Sequence, residues 1–169
     1  MMMLDDTSAP LLESLMGFHR RVERHLAVLA ALPTQLLDQG ATPRTTAAAA
    51  ALLQCFDREC ARRHAEEERE LLPMIERHIV DDMKRAHFRS LRRTLAEQHR
   101  GIERAWREVR RPLEAVAEGL PRRLEADAIS HMRALFASHI HGEEAALHRA
   151  LSSRLGNSPE PCQRGAASR

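Results

Sequence analysis

Apolar residues recur every three or four positions along four long stretches of the chain, and nowhere do they alternate with polar residues as in a strand. In the first stretch, from about Pro10 to Asp38, Leu11, Leu15, Phe18, Val22, Leu26 and Leu29 share one helical face. Pro33 is expected to kink or shorten this helix, and Gln39 to Pro43 reads as its terminator and connection. A second helix starts near Thr45 or Thr46 as cap and runs through an alanine tract toward His78. Its stripe is Leu52, Phe56, Cys60, His64, Leu71 and Ile75, with Pro73 expected to bend the final turns. Asp81 and Asp82 open a third helix that ends near Glu118 and Gly119. It turns Phe88, Leu91, Leu95, His99, Ile102, Trp106 and Val109 inward. Pro121 suits the first turn of a fourth helix, which runs to about Leu155. Four amphipathic helices with short connections predict an all-α, up-down-up-down four-helix bundle. The expected organisation is a flexible leader over residues 1–9, the bundle over 10–155 and a disordered tail over 156–169.

Composition narrows the function classes. The 26 basic and 24 acidic residues nearly cancel, which argues against an extended polyanion-binding surface. Tyrosine is absent and aromatics make up 3%, so base-stacking platforms for nucleic acid are not expected. No apolar run approaches the roughly 20 residues of a membrane span, and no segment has the order of a signal peptide. A cytoplasmic protein, with no membrane or nucleic-acid partner, is the expectation. The three cysteines, Cys55, Cys60 and Cys162, form no CxxC, so neither a disulfide framework nor a thiolate zinc site is indicated. The Arg-Arg pairs fall on different helices and read as solvated exterior.

Histidine is the unusual resource, with ten copies. Among 17 glutamates, chance would place about one Glu four positions after a His. The chain has four such pairs, one per predicted helix: His19/Glu23, His64/Glu68, His99/Glu103 and His139/Glu143. Residues at this spacing project from one face, within reach of a common ion. A lone histidine on an apolar face is commonly a satisfied core residue, but four on four facing stripes would leave many buried lone pairs without partners. A bound metal removes that cost, roughly 1–3 kcal/mol per group. Imidazole and carboxylate without thiolate suit iron or manganese, with zinc a weaker fit. The donors exceed the four of a structural zinc site and match two carboxylate-bridged ions in a bundle core. Glu67 competes with Glu68, because i+3 also faces His64, and His25 competes with His19. Glu23 and Glu103 sit toward the edges of their stripes. Cys60, one turn before His64, reads as core packing, with a redox-active thiol as the alternative. His78, His87, His131, His141 and His148 read as surface residues, and Trp106 as a core filler.

The segments from Arg63 to Pro73 and from Ser138 to Glu144 resemble the second- and fourth-helix motifs of hemerythrin-like (HHE cation-binding) proteins. The family's ordered pattern is met by His19, by His64 with Glu68, by His99 in Glu97-Gln98-His99, and by His139 with Glu143. The resemblance implies a non-haem di-iron centre, oxo- or hydroxo-bridged, with Glu68 and Glu143 as bridging ligands and the histidines as terminal ones. The oxygen-carrying members place two histidines four apart on the third helix, whereas His99 has Leu95 before it and Glu103 after it. Glu103, and by helix symmetry Glu23, are the candidates for the missing ligation. Dioxygen, nitric oxide or peroxide is the implied small-molecule partner. The leading expectation is a protein that binds or senses such an oxidant. The alternatives are a di-iron enzyme with peroxidase-, catalase-like or ferroxidase activity, and an iron-handling or interaction module. The sequence leaves any protein partner unknown.

Overall fold

The four periodic stretches form four helices in a computed structural model that describes residues 5–155. We number them α1 (Asp5–Gln39), α2 (43–77), α3 (Asp82–Ala117) and α4 (Ala126–Leu155). The described residues contain no strand. Each helix packs on its neighbours in sequence, and α1 closes the ring against α4. The architecture is therefore the all-α bundle read from the periodicity. No helix among the described residues is long and apolar enough to cross a membrane. The leader expected over 1–9 falls partly outside the described residues, with α1 already helical at Asp5, and the tail over 156–169 falls wholly outside them.

Helix ends depart from the sequence reading where local chemistry competes. Helix α1 runs through Pro33 to Gln39 because Leu32, fully buried, and half-buried Leu36 keep its last turns on the core. Gly40, at φ +70°, then reverses the chain, a conformation that a Cβ disfavours. The cap of α2 is Thr42, not Thr45 or Thr46. The Thr45 amide donates to Thr42 Oγ1 at 3.3 Å, the Thr42 amide donates to Thr45 Oγ1 at 2.8 Å, and Pro43 takes the first helical position. Thr42→Ala should cost about 1 kcal/mol in urea denaturation; an unchanged midpoint would show the cap to be idle. Asp81 caps α3 as expected, accepting from the Lys84 amide at 2.8 Å. Helix α4 begins at Ala126 rather than at Pro121. Residues 121–125 cross the bundle end so that Leu124 can enter the core.

Helix α2 is not uniform. Ordinary α-helical segments alternate with two wide turns closed by i→i+5 hydrogen bonds, Cys55–Cys60 and Glu67–Leu71. Each wide turn moves the inward face by one residue. Leu72, not Leu71, is consequently the buried leucine, and Pro73 stands at the start of the last α-helical segment. Asp57 pins the first wide turn to α3, accepting from Trp106 Nε1 at 2.7 Å and from Arg110 Nε at 2.9 Å.

The core falls into two apolar clusters. The larger runs from Phe18, Leu52 and Phe56 through Ile102 and Trp106 to Ile140. The smaller holds Leu15, Leu72, Ile75, Ile79, Phe88, Leu95 and Leu147. Along their helices His64 and His99 lie between the two clusters, whereas His19 and His139 sit within the end of the larger one that faces Leu15 and Leu147 of the smaller.

Candidate metal centre

The stripes of all four helices turn polar at the same height. His19 of α1, Glu67 of α2, His99 of α3, and His139 with Glu143 of α4 are buried, and His64 of α2 is half-buried. The His64 and His99 rings stack, with centroids 3.9 Å apart and planes at 7°, and His139 meets both edge-on at 5.5 and 4.7 Å. Donor atoms of His64, His99 and His139 lie within 4.8 Å of one another, as do those of His19, His139 and Glu143. The two groups overlap at His139.

The outer nitrogens fix how three of the rings point. His99 donates from Nδ1 to Glu68 Oε1 at 2.7 Å, His19 from Nδ1 to Glu144 Oε1 at 2.8 Å, and His139 from Nδ1 to Gln98 Oε1 at 3.3 Å. In each ring Nε2 is left as the inward lone-pair atom, the orientation that metal-ligating histidines take from such partners. Replacing Gln98 with leucine frees the His139 ring. Metal affinity should fall by about 10–100-fold while helicity is retained. Competition against a chelator tests this, and unaltered affinity would remove Gln98 from the site.

Facing these nitrogens are two carboxylates. Glu143 Oε2 lies 3.3 Å from His19 Nε2 and 3.5 Å from His139 Nε2, with hydrogen-bond geometry to neither. Glu67 Oε2 lies 3.5 Å from His99 Nε2, and Arg63 Nε donates to its other oxygen at 2.9 Å. The buried side-chain atoms lacking a hydrogen-bond partner among the described residues are Glu67 Oε2, His99 Nε2, both oxygens of Glu143, and Nη2 of Arg63. All belong to this layer or to its Arg63 support. Buried polar groups are normally satisfied; here carboxylate oxygens and an imidazole nitrogen converge without a hydrogen bond between them, an arrangement that a cation would satisfy.

Two of the histidines are held in the ligating form. Burial, then the neighbouring imidazoles, pushes the His64 pKa down to about 2. Burial likewise lowers His139 to about 4, against the pull of Glu143. Both rings are neutral at pH 7, the form that ligates. Burial and the facing Glu143 raise Glu67 to about 8, despite Arg63. Burial also opposes charge on His19 and Glu143, but their mutual attraction wins, raising the His19 pKa and lowering that of Glu143.

Helical phase decides which sequence candidates enter the layer. In α1, Val22 and Leu26, at three and seven positions after His19, are buried and Glu23 is exposed. In α3, Ile102 and Trp106 hold the same positions after His99, and Glu103 is exposed on the wall of an outer cavity. Glu23 and Glu103 therefore stand apart from the donor cluster. In α2 the i+3 residue, Glu67, is buried at 1% exposure. Glu68, expected as a bridge, instead supports His99 from outside with its side chain 39% exposed. Only α4 turns its i+4 residue, Glu143, inward. His25 bonds the Arg21 carbonyl and His78 the Met74 carbonyl, while His87, His131, His141 and His148 are exposed. Sequence reasoning missed the roles of Gln98 and Glu144. The former precedes His99 directly and the latter follows Glu143, but neither position reveals a partner on another helix.

A cavity of about 580 Å³ opens between α2 and α3 and reaches the edges of His64 and His99. Phe56, Cys60, Trp106 and Phe136 supply much of its wall.

An antiparallel helical bundle interrupted at mid-height by four histidines and two carboxylates defines a protein class that gathers metal through imidazole and carboxylate in its core. The sequence model of the hemerythrin HHE cation-binding domain matches residues 11–151, and the chain belongs to that family. No curated protein and no solved structure matches it.

Proposed function

We propose that the layer holds two non-haem iron ions and that the protein binds or senses dioxygen or a related small oxidant, nitric oxide or peroxide. Carrying this reading is the pair of overlapping donor groups sharing His139, with more lone pairs than one tetrahedral ion can use. His19, His64, His99, His139, Glu67 and Glu143 would be the ligands. Iron held there supplies a redox-active Lewis acid that can take up a small exogenous ligand. The chain's own residues do the rest. Glu68, Glu144 and Gln98 aim the rings, Arg63 shares the charge of Glu67, and Phe56, Ile102 and Phe136 keep bulk water from the inner end of the cavity. Two free buried thiols suit a reducing compartment, the cytoplasm.

The cavity gives a small oxidant an approach to His64 and His99, which supports one second reading, a peroxide-consuming enzyme at the same centre. Metal content per chain, with the near-ultraviolet and visible spectrum of the same sample, is the test. About two irons and a spectrum that changes reversibly with oxygen are expected. Sustained peroxide loss, many molecules per chain, would transfer the assignment to the enzyme. Little iron after reconstitution of a folded bundle would overturn both.

A further inference from the structure

The first wide turn of α2 begins and ends on a cysteine. Cys55 and Cys60 are buried and free, and neither is one of the metal-layer donors. In a regular α-helix, residues five apart point about 140° away from each other around the axis. Where i→i+5 hydrogen bonds widen the turn, the fifth residue comes round to stand over the first. The two thiols are thereby brought to the same face of the helix, one wide turn apart. The proximity of Cys60 lowers the pKa of Cys55, and that of Cys55, together with burial, raises Cys60. Cys60 also lines the cavity that runs to His64 and His99. Both thiols are closed to bulk solvent, and Cys60 borders the cavity that reaches the metal layer.

We propose that Cys55 and Cys60 are a dithiol modification site, oxidised to an intrahelical disulfide by a hydroperoxide entering this cavity. With hydrogen peroxide, the O–O bond and two S–H bonds break and one S–S bond forms. The sulfurs give up two electrons, and both thiol protons leave with the peroxide oxygens as two molecules of water. So short a loop removes little chain entropy, and the bridge would not serve as a staple. Its chemistry is that of a reversible, strained bridge. The inference stands apart from the iron reading, because the juxtaposition is a property of the helix alone.

The test uses the full metal-loaded chain exposed to equimolar hydrogen peroxide, alkylated and digested with trypsin, which cleaves after Arg58 between the two cysteines. Peptides 45–58 and 59–62 are expected joined, at a mass two hydrogens below their sum, and the link should vanish on reduction. The joined pair should be absent from Cys55→Ala and Cys60→Ala and retained in Cys162→Ala. Alkylation of both Cys55 and Cys60 after peroxide treatment, or bridges mainly to Cys162, would overturn the proposal in wild-type protein, whatever the variants' stability. The readout is sulfur only, so a failure to find iron leaves it intact.

Discussion

Glu67→Gln will leave the protein with little bound metal, whereas Glu68→Gln will keep its metal at an affinity about 10–100-fold lower. The two residues are adjacent, equally acidic and almost equally placed relative to His64 in sequence. They differ in what their oxygens meet. Glu67 is buried and directs an unpartnered oxygen toward His99 Nε2, inside the layer. Glu68 accepts from the opposite nitrogen of that ring and faces the cavity. An amide at position 67 removes a negative charge from the inside of the site and places an N–H where a lone pair is needed. At position 68 it alters only how firmly the His99 ring is held. Metal per chain by mass spectrometry, measured beside circular dichroism to show both variants folded, checks the pair. Equal loss in both, or the greater loss in Glu68→Gln, would return the ligand role to Glu68.

Removing the metal will destabilise the bundle and expose a distinctive pH dependence. At free metal about 100 times the dissociation constant, binding adds about 2.7 kcal/mol. For a chain of this size its loss lowers Tm by about 5–10 °C. The stripped protein then carries its layer as titrating groups. Glu67 is pushed up to about 8 in the folded state, so the native protein holds a proton that the unfolded chain gives up. That contribution is complete below the ordinary carboxylate pKa and disappears as pH rises through 8. About 2 kcal/mol should be lost between pH 6.5 and 8.5. His19, raised in the folded state, adds in the same direction. His64 and His139, lowered to about 2 and 4, have the opposite sign. Below pH 6.5 the unfolded chain takes up protons that the folded rings refuse, and stability falls as pH falls. Urea denaturation of chelator-treated protein maps both limbs. Glu67→Gln should flatten the alkaline limb and steepen the acid one, because proton uptake by Glu67 offsets the histidines down to the ordinary carboxylate pKa. An alkaline limb equally steep in both proteins would show that Glu67 does not carry the proton.

The four helices, and the histidine that each contributes, were legible because apolar spacing of three and four is a direct projection of the helical repeat. His19, His64, His99 and His139 belong to those stripes, so the reading that finds the core finds them too. Reading failed where it assumed a constant repeat. Counting on from His64 at a constant repeat selects Leu71; the ordinary i+3 direction brings Glu67 inward, and the wide turn that starts there, Glu67–Leu71, carries the inward face on to Leu72. Two buried side chains five apart, Cys55/Cys60 and Glu67/Leu72, mark the wide turns, but without coordinates either can be taken for an irregular stripe. The pairing rule also overreached at Glu23 and Glu103. An i+4 neighbour is within reach of a histidine, yet it is rotated about 40° from it. The apolar residues at i+3 had already claimed the inward direction.

The layer at mid-height has one more consequence. Oily packing in most small bundles runs unbroken from end to end, so loosening at one end is felt at the other through continuous side-chain contact. Here the larger and smaller apolar clusters meet across histidine rings and carboxylates. When coordination bonds span that boundary, they carry the mechanical coupling between the two ends. When they are absent, the end around Ile79, Phe88 and Leu147 becomes a separate cooperative unit, free to open without its neighbour. Occupancy of the centre thus sets whether the bundle behaves as one folding unit or as two.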